Sequence, residues 1–84
     1  MAKKIPEINQ KYEDFYREVL KNGTLSSKTK ELIAVAVSLG AGCESCYKVH
    51  LEKAKTLGNT EEEIQEAIAV AEIVAAGKIK MMMD

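Results

Sequence analysis

Two cysteines and a histidine share one short window, Cys43-Glu44-Ser45-Cys46-Tyr47-Lys48-Val49-His50, and the chain holds no other cysteine and no other histidine. A glutamate, Glu31, lies upstream of it. All thiol redox chemistry and all side-chain proton chemistry near neutral pH are therefore confined to one region. Two cysteines at this spacing can close into a disulfide, and a histidine one helical turn after the second can accept a proton from a thiol. The reactive species is the thiolate. A helix N-terminus would favour ionisation of Cys43 and a nearby imidazolium that of Cys46, moving a thiol from about 8.5 toward neutrality. The spacing leaves open which sulfur attacks.

For these groups to meet, the chain must fold as helices. Apolar residues after Pro6 recur at Ile8, Tyr12, Phe15, Tyr16, Val19 and Leu20, with Lys11, Asp14, Arg17, Glu18 and Lys21 on the opposite face, and Asn22-Gly23 ends this first helix. Ser26 or Ser27 can cap a second helix from about Lys28 to Leu39, after which Gly40-Ala41-Gly42 loosens the backbone. A third runs from about Cys43 to Leu57. Thr60 and Glu63 form a capping box for a fourth, which continues to Ala76 and is closed by Gly77, leaving Lys78 to Asp84 as a short turn or frayed tail. The class is all-α. On one helix, Cys46 shares a face with Cys43 and with His50. If the second and third helices fold back at Gly40-Ala41-Gly42, Glu31 falls opposite residues 50 to 52. A carboxylate there would hold the tautomer of His50 and suit the ring to relay protons, with all four side chains in one small volume.

Composition narrows the remaining classes. Twelve Lys and Arg balance thirteen Asp and Glu, and no basic stripe carries interleaved aromatics, which speaks against nucleic-acid binding. Met1-Ala2-Lys3-Lys4-Ile5-Pro6 lacks the apolar core of a secretory leader, and the mostly apolar run from Leu32 to Gly42 is too short to cross a bilayer, so a cytoplasmic protein is expected. In a reducing compartment a close cysteine pair is more often catalytic or metal-binding than structural. Residues 1–84 read as one small domain, whose own core is marginal. Yet Leu32 to Leu39 and Ala67 to Ala76 are apolar almost all round, offering only Ser38 and Glu72 as polar positions. Helices of that kind need a larger core, which other copies of the chain would supply.

Glu31, eleven residues, Cys43, two residues, Cys46, three residues, His50 resembles the signature of the alkyl hydroperoxidase D-like proteins of the carboxymuconolactone decarboxylase superfamily. Lys30 to Val37 before the pair and the alanine-rich helix after it are similar to the family as well, so the likeness covers about Tyr12 to Gly77. The resemblance implies an all-helical bundle assembled into trimers or hexamers, with thiol-dependent reduction of a hydroperoxide as its activity. It implies Cys46 as the sulfur that attacks peroxide, Cys43 as the resolving partner, and His50 with Glu31 as the proton relay. It calls for no organic cofactor and no metal; an external dithiol protein would restore the pair. The lactone decarboxylases of the superfamily lack the cysteine pair, so decarboxylation is disfavoured. The short ends of this chain, unlike the longer two-segment hydroperoxidases, leave the electron donor open.

Other readings of the same residues are a thiol-disulfide sensor that does not turn over peroxide, and a metal-binding interaction domain using Cys43, Cys46 and His50, with Glu31 or another subunit completing the ligands. Blander ones make the cysteines small buried hydrophobes, His50 a surface residue and Glu31 a first-turn carboxylate. Tyr47 reads as core or interface packing, Met81 to Met83 as a soft contact surface or a frayed end, and Lys48, Lys53 and Lys55 as solvated.

Overall fold

A computed structural model describes residues 5–84; Met1 to Lys4, on which most of the leader reading rests, lie outside the described residues. Four helices follow one another: α1 (Pro6–Leu20), α2 (Ser27–Ala41), α3 (Glu44–Thr56) and α4 (Glu61–Met83), with no strand among the described residues. No helix there is long and apolar enough to cross a membrane.

Each boundary has a local cause. Pro6 starts α1 because its fixed φ suits the first helical turn and its missing N–H would be unpaired there anyway. The two candidate caps of α2 divide the work. Ser26 Oγ accepts from the Thr29 N–H at 3.1 Å and so caps α2, while Ser27 Oγ donates to the Leu20 carbonyl at 2.7 Å and closes the end of α1. Lys30 Nζ adds bonds to the carbonyls of Val19 and Lys21 at 2.7 and 2.8 Å, placing a cation on the negative end of α1.

The turn between α2 and α3 is tighter than expected. Gly40 and Ala41 remain helical, and Gly42 alone makes the reversal, at φ 69° in the left-handed region that glycine enters without strain. Cys43 is then the N-cap of α3. The capping box of α4 is present, with the Thr60 N–H donating to Glu63 Oε1 at 2.7 Å and the Glu63 N–H to Thr60 Oγ1 at 3.1 Å. The bond from the Thr60 backbone, helped by the Thr60 hydroxyl and by Lys28, holds the Glu63 carboxyl below its ordinary value.

Gly77 does not close α4. The helix passes through it to Met83, and Lys78 to Met83 form a further stretch of helix instead of a frayed tail. A glycine inside a helix costs only about 1 kcal/mol. The residues after it are mostly good helix formers, and Lys80 pairs with Asp84 at 3.3 Å.

The central helix is α2, which packs against both α3 and α4. Val35, Ala54 and Ile64 are fully buried, with Leu32, Tyr47, Leu51 and Ile68 against them, so Tyr47 does serve the core. That is a thin core. α1 buries no residue completely, and Phe15, Val37, Val70, Ile73, Val74 and Ile79 are all exposed within the single chain. Between α2 and α4 runs an apolar groove of about 690 Å³, walled by Val37, Val70, Val74, Ile79 and Met82 among others.

Candidate active site

The hairpin of α2 and α3 brings Glu31 and His50 together. Glu31 Oε2 lies 2.6 Å from His50 Nδ1, with side chains only 4% and 12% exposed, and a carboxylate can only accept, so the ring N–H donates. The register comes from the Gly42 turn, where the Cys43 N–H donates to the Ser38 carbonyl at 2.9 Å. From that point the helices diverge antiparallel, and residues equally far from the turn face each other. His50 is therefore not a free surface residue, and Glu31 is a buried partner.

Cys43 and Cys46 are joined as a disulfide. As N-cap, Cys43 places its Sγ 3.2 Å from the Cys46 N–H, which donates to it. Sulfur thus receives one of the unpaired amides of a helix start, where negative charge is favoured. Cys46 is exposed and Cys43 half-buried, so neither is sealed packing. Lys48 pairs with Glu44 at 3.2 Å on the surface.

His50 follows Cys46 by one turn of α3, but its second nitrogen does not turn to the sulfurs. Nε2 faces Tyr16 Oη at 3.4 Å, and the two rings lie near-parallel at 26° with centroids 5.9 Å apart. Lys53, read from the sequence as simply solvated, donates from Nζ to Tyr16 Oη at 3.0 Å. Two shallow clefts result. One, of about 230 Å³, is lined by Tyr12, Phe15, Tyr16, Val19, Leu20 and Ala34 with His50 in its wall. The other, of about 250 Å³, is lined by Ser38, Leu39, Gly42, Cys43, Glu44 and Tyr47. The acid and the ring meet as expected, whereas with the disulfide closed His50 and Cys43 line different clefts and Cys46 lines neither of the two. Sequence reasoning missed Tyr16 because it counted that residue only within the apolar stripe of α1.

Among the described residues no three His, Cys, Asp or Glu side chains converge in a metal-holding arrangement, and the sulfurs are bonded to each other. What the arrangement can do is thiol-disulfide chemistry beside a histidine whose tautomer is fixed by a buried acid.

The profile of the carboxymuconolactone decarboxylase family matches residues 6–81, and the chain belongs to that family. Among curated relatives, "uncharacterized protein 4 in cox locus" of Paracoccus denitrificans is 44% identical over 59 residues, covering 70% of this chain and 53% of the relative. The alkyl hydroperoxide reductase AhpD of Anaeromyxobacter sp. strain K is 33% identical over 51 residues, covering 61% of this chain and 27% of the relative. The chain spans about half the length of the first of these curated relatives and of a Haemophilus influenzae protein that it also matches. Of solved structures, a Methanobacterium thermoautotrophicum protein superposes with a TM-score of 0.87 at 34% identity, covering 98% of this chain and 94% of that one. A carboxymuconolactone decarboxylase family protein of Thermotoga maritima, described there as a candidate for an antioxidative response, gives 0.79 at 29% identity over 86% and 73% of the two chains. The all-helical fold and the family read from the sequence are those found.

Proposed function

We propose that the protein is a thiol-dependent hydroperoxide reductase of the alkyl hydroperoxidase D type. One observation carries this reading: a buried carboxylate bound at 2.6 Å to an imidazole one helical turn after a bonded cysteine pair. A bridge across two intervening residues restrains little of the unfolded chain, so stability is a poor reason for it. The alkyl hydroperoxide reductase AhpD relative supports the same chemistry, and the description of the Thermotoga protein supports an antioxidative role.

In the reduced protein, His50 oriented by Glu31 takes up a thiol proton. The thiolate of Cys46, the more exposed of the two residues, attacks the terminal oxygen of the hydroperoxide. The O–O bond breaks, the alkoxide leaves and is protonated to the alcohol, and Cys46 becomes a sulfenic acid. Cys43, whose thiolate is favoured by the start of α3, then attacks the Cys46 sulfur, forming the S–S bond and releasing the oxygen as water. Two electrons have passed from the pair to the peroxide. An external dithiol protein returns them, as a reducing compartment such as the cytoplasm would allow. No organic cofactor or metal takes part. Residues 1–84 act as one domain within a homo-oligomer, for which the exposed faces of α1, α2 and α4 supply the apolar surface.

The test is to mix reduced protein with cumene hydroperoxide and follow the cysteines by mass spectrometry. One intramolecular disulfide should form rapidly. Cys46→Ser should abolish the reaction, and Cys43→Ser should accumulate sulfenic or over-oxidised Cys46. Inertness toward peroxide with ready exchange against dithiols would instead favour the sensor reading.

A further inference from the structure

Tyr16 lies outside the four-residue pattern, yet it completes the surroundings of His50. Because the Nδ1–H donates to Glu31 Oε2, it is Nε2 that offers a lone pair whenever the ring is neutral, and Nε2 faces Tyr16 Oη. Lys53 follows His50 by three residues on the same face of α3. Its Nζ donates to the same oxygen and lies 4.7 Å from the centre of the Tyr16 ring. An ammonium has no lone pair to offer, so Lys53 occupies an acceptor site of the phenol and leaves the O–H free to donate to Nε2. Among the described residues, the titratable groups bonded to the ring are Glu31 from α2 and Tyr16 from α1, with Lys53 from α3 reaching it through Tyr16.

We propose that Tyr16, seated by Lys53, is a positioning residue that holds the Nε2 lone pair of His50 on the α1 side of the hairpin. Glu31 fixes one nitrogen and Tyr16 the other, so the ring is restrained at both ends. At 3.4 Å the phenol contact is long for an O–H···N bond, as catalytic contacts often are before substrate arrives. Lys53 uses one of the two lone pairs on Oη, and the second is open to a thiol, a water or the hydroperoxide O–H. A proton bound for Nε2 therefore arrives at the Tyr16 hydroxyl. The kinetic part of this inference rests on the proposed peroxide chemistry; the placement of the lone pair does not.

Long-range nitrogen–proton NMR correlation of the imidazole, recorded on the oxidised protein without peroxide, tests the placement. Wild type should show a protonated Nδ1 and an Nε2 with a hydrogen-bonded lone pair. Tyr16→Phe keeps the ring and removes the hydroxyl, so its Nε2 resonance should move toward that of an unbonded lone pair. Lys53→Met should move it part of the way, and Lys53→Arg should restore it. Should Tyr16→Phe lose its helical circular dichroism, Lys53→Met carries the test. In the reduced protein Tyr16→Phe should react with hydroperoxide about two- to tenfold more slowly near neutrality, the range a single hydrogen bond supports. The deficit should close once the thiols ionise unaided. An Nε2 resonance identical in all variants overturns the proposal, and so does faster reaction in Tyr16→Phe, which would make the phenol a block. A wild type inert to peroxide with the displaced resonance intact refutes the peroxidase reading and leaves the positioning role standing.

Discussion

Replacing His50 by asparagine separates what the ring does for the fold from what it does for the thiols. The Asn amide nitrogen falls near the position of Nδ1 and can still donate to Glu31, whereas nothing replaces Nε2. Glu31 is 3% exposed, so His50→Ala strands a carboxylate that water barely reaches. An orphaned buried acceptor costs about 1–3 kcal/mol, and more when charged. Lost packing against Tyr16 adds about 0.5–1.5 kcal/mol. At about 0.05–0.15 kcal/mol per residue, the 84 residues have only roughly 4–13 kcal/mol in all, and a core this thin argues for the lower half. His50→Ala should therefore lose a large share of total stability in urea unfolding of the oxidised protein. His50→Asn should recover the hydrogen-bond part, about 1–3 kcal/mol of that loss. Its thiols should nevertheless react with hydroperoxide as slowly as those of His50→Ala near neutrality. If His50→Asn is no more stable than His50→Ala, the Nδ1–H···Oε2 bond is not what accommodates the buried acid. If it reacts like wild type, the imidazole is not the proton acceptor.

Acid unfolding should carry the signature of Glu63. Its carboxyl is held below its ordinary value near 4.5, so its contribution to stability is complete well above that pH and fades as pH falls through the lower, folded value. Melting temperatures of wild type and Glu63→Gln should differ near neutrality and converge in strong acid; a constant gap would refute the linkage. Gly77→Ala should raise stability by about 0.5–1 kcal/mol, because a Cβ there meets nothing within 4 Å and the helix continues past it. A lower melting temperature would mean that α4 is broken at Gly77. Light scattering should give a mass several times the 9.2 kDa of one chain, and Val74→Lys in the α2–α4 groove should reduce it. A monomeric wild type would remove the oligomer from the proposal.

The helical hairpin was legible because its signals are local and redundant: a 3.6-residue apolar period, serines before α2, and glycines at the reversal. From those, the opposition of Glu31 and His50 follows by counting from the turn. What was not legible depends on competition between neighbours. Ser26 and Ser27 are equivalent as letters, and only the position of the Leu20 carbonyl assigns one to each helix end. Gly77 reads as a stop, but a glycine stops a helix by entering the left-handed region, and Gly42 and Gly58 are the glycines with positive φ among those described. Tyr16 was hidden for another reason. It meets His50 across 34 residues through a side-chain contact between α1 and α3, and no periodicity within either helix records such a contact.

The site and the core are the same seam. Along α2, Glu31, Val35 and Ser38 are its buried residues, spaced as one helical stripe, and along α3 Tyr47, His50, Leu51 and Ala54 line the facing stripe. The acid–imidazole pair thus occupies one layer of the hairpin interface where two hydrophobes would otherwise sit. A slip of one residue in either helix would bury a lone carboxylate against an aliphatic layer, at a cost comparable to a large part of the domain's stability. The pair therefore fixes the register of α2 against α3, while α3 itself sets His50 one turn from Cys46. In so small a protein, a layer that binds the helices in one alignment and a layer that prepares a proton acceptor need not be separate. Disrupting that layer should then impair folding cooperativity and thiol reactivity together, unless, as with His50→Asn, only the bond that serves the fold is kept.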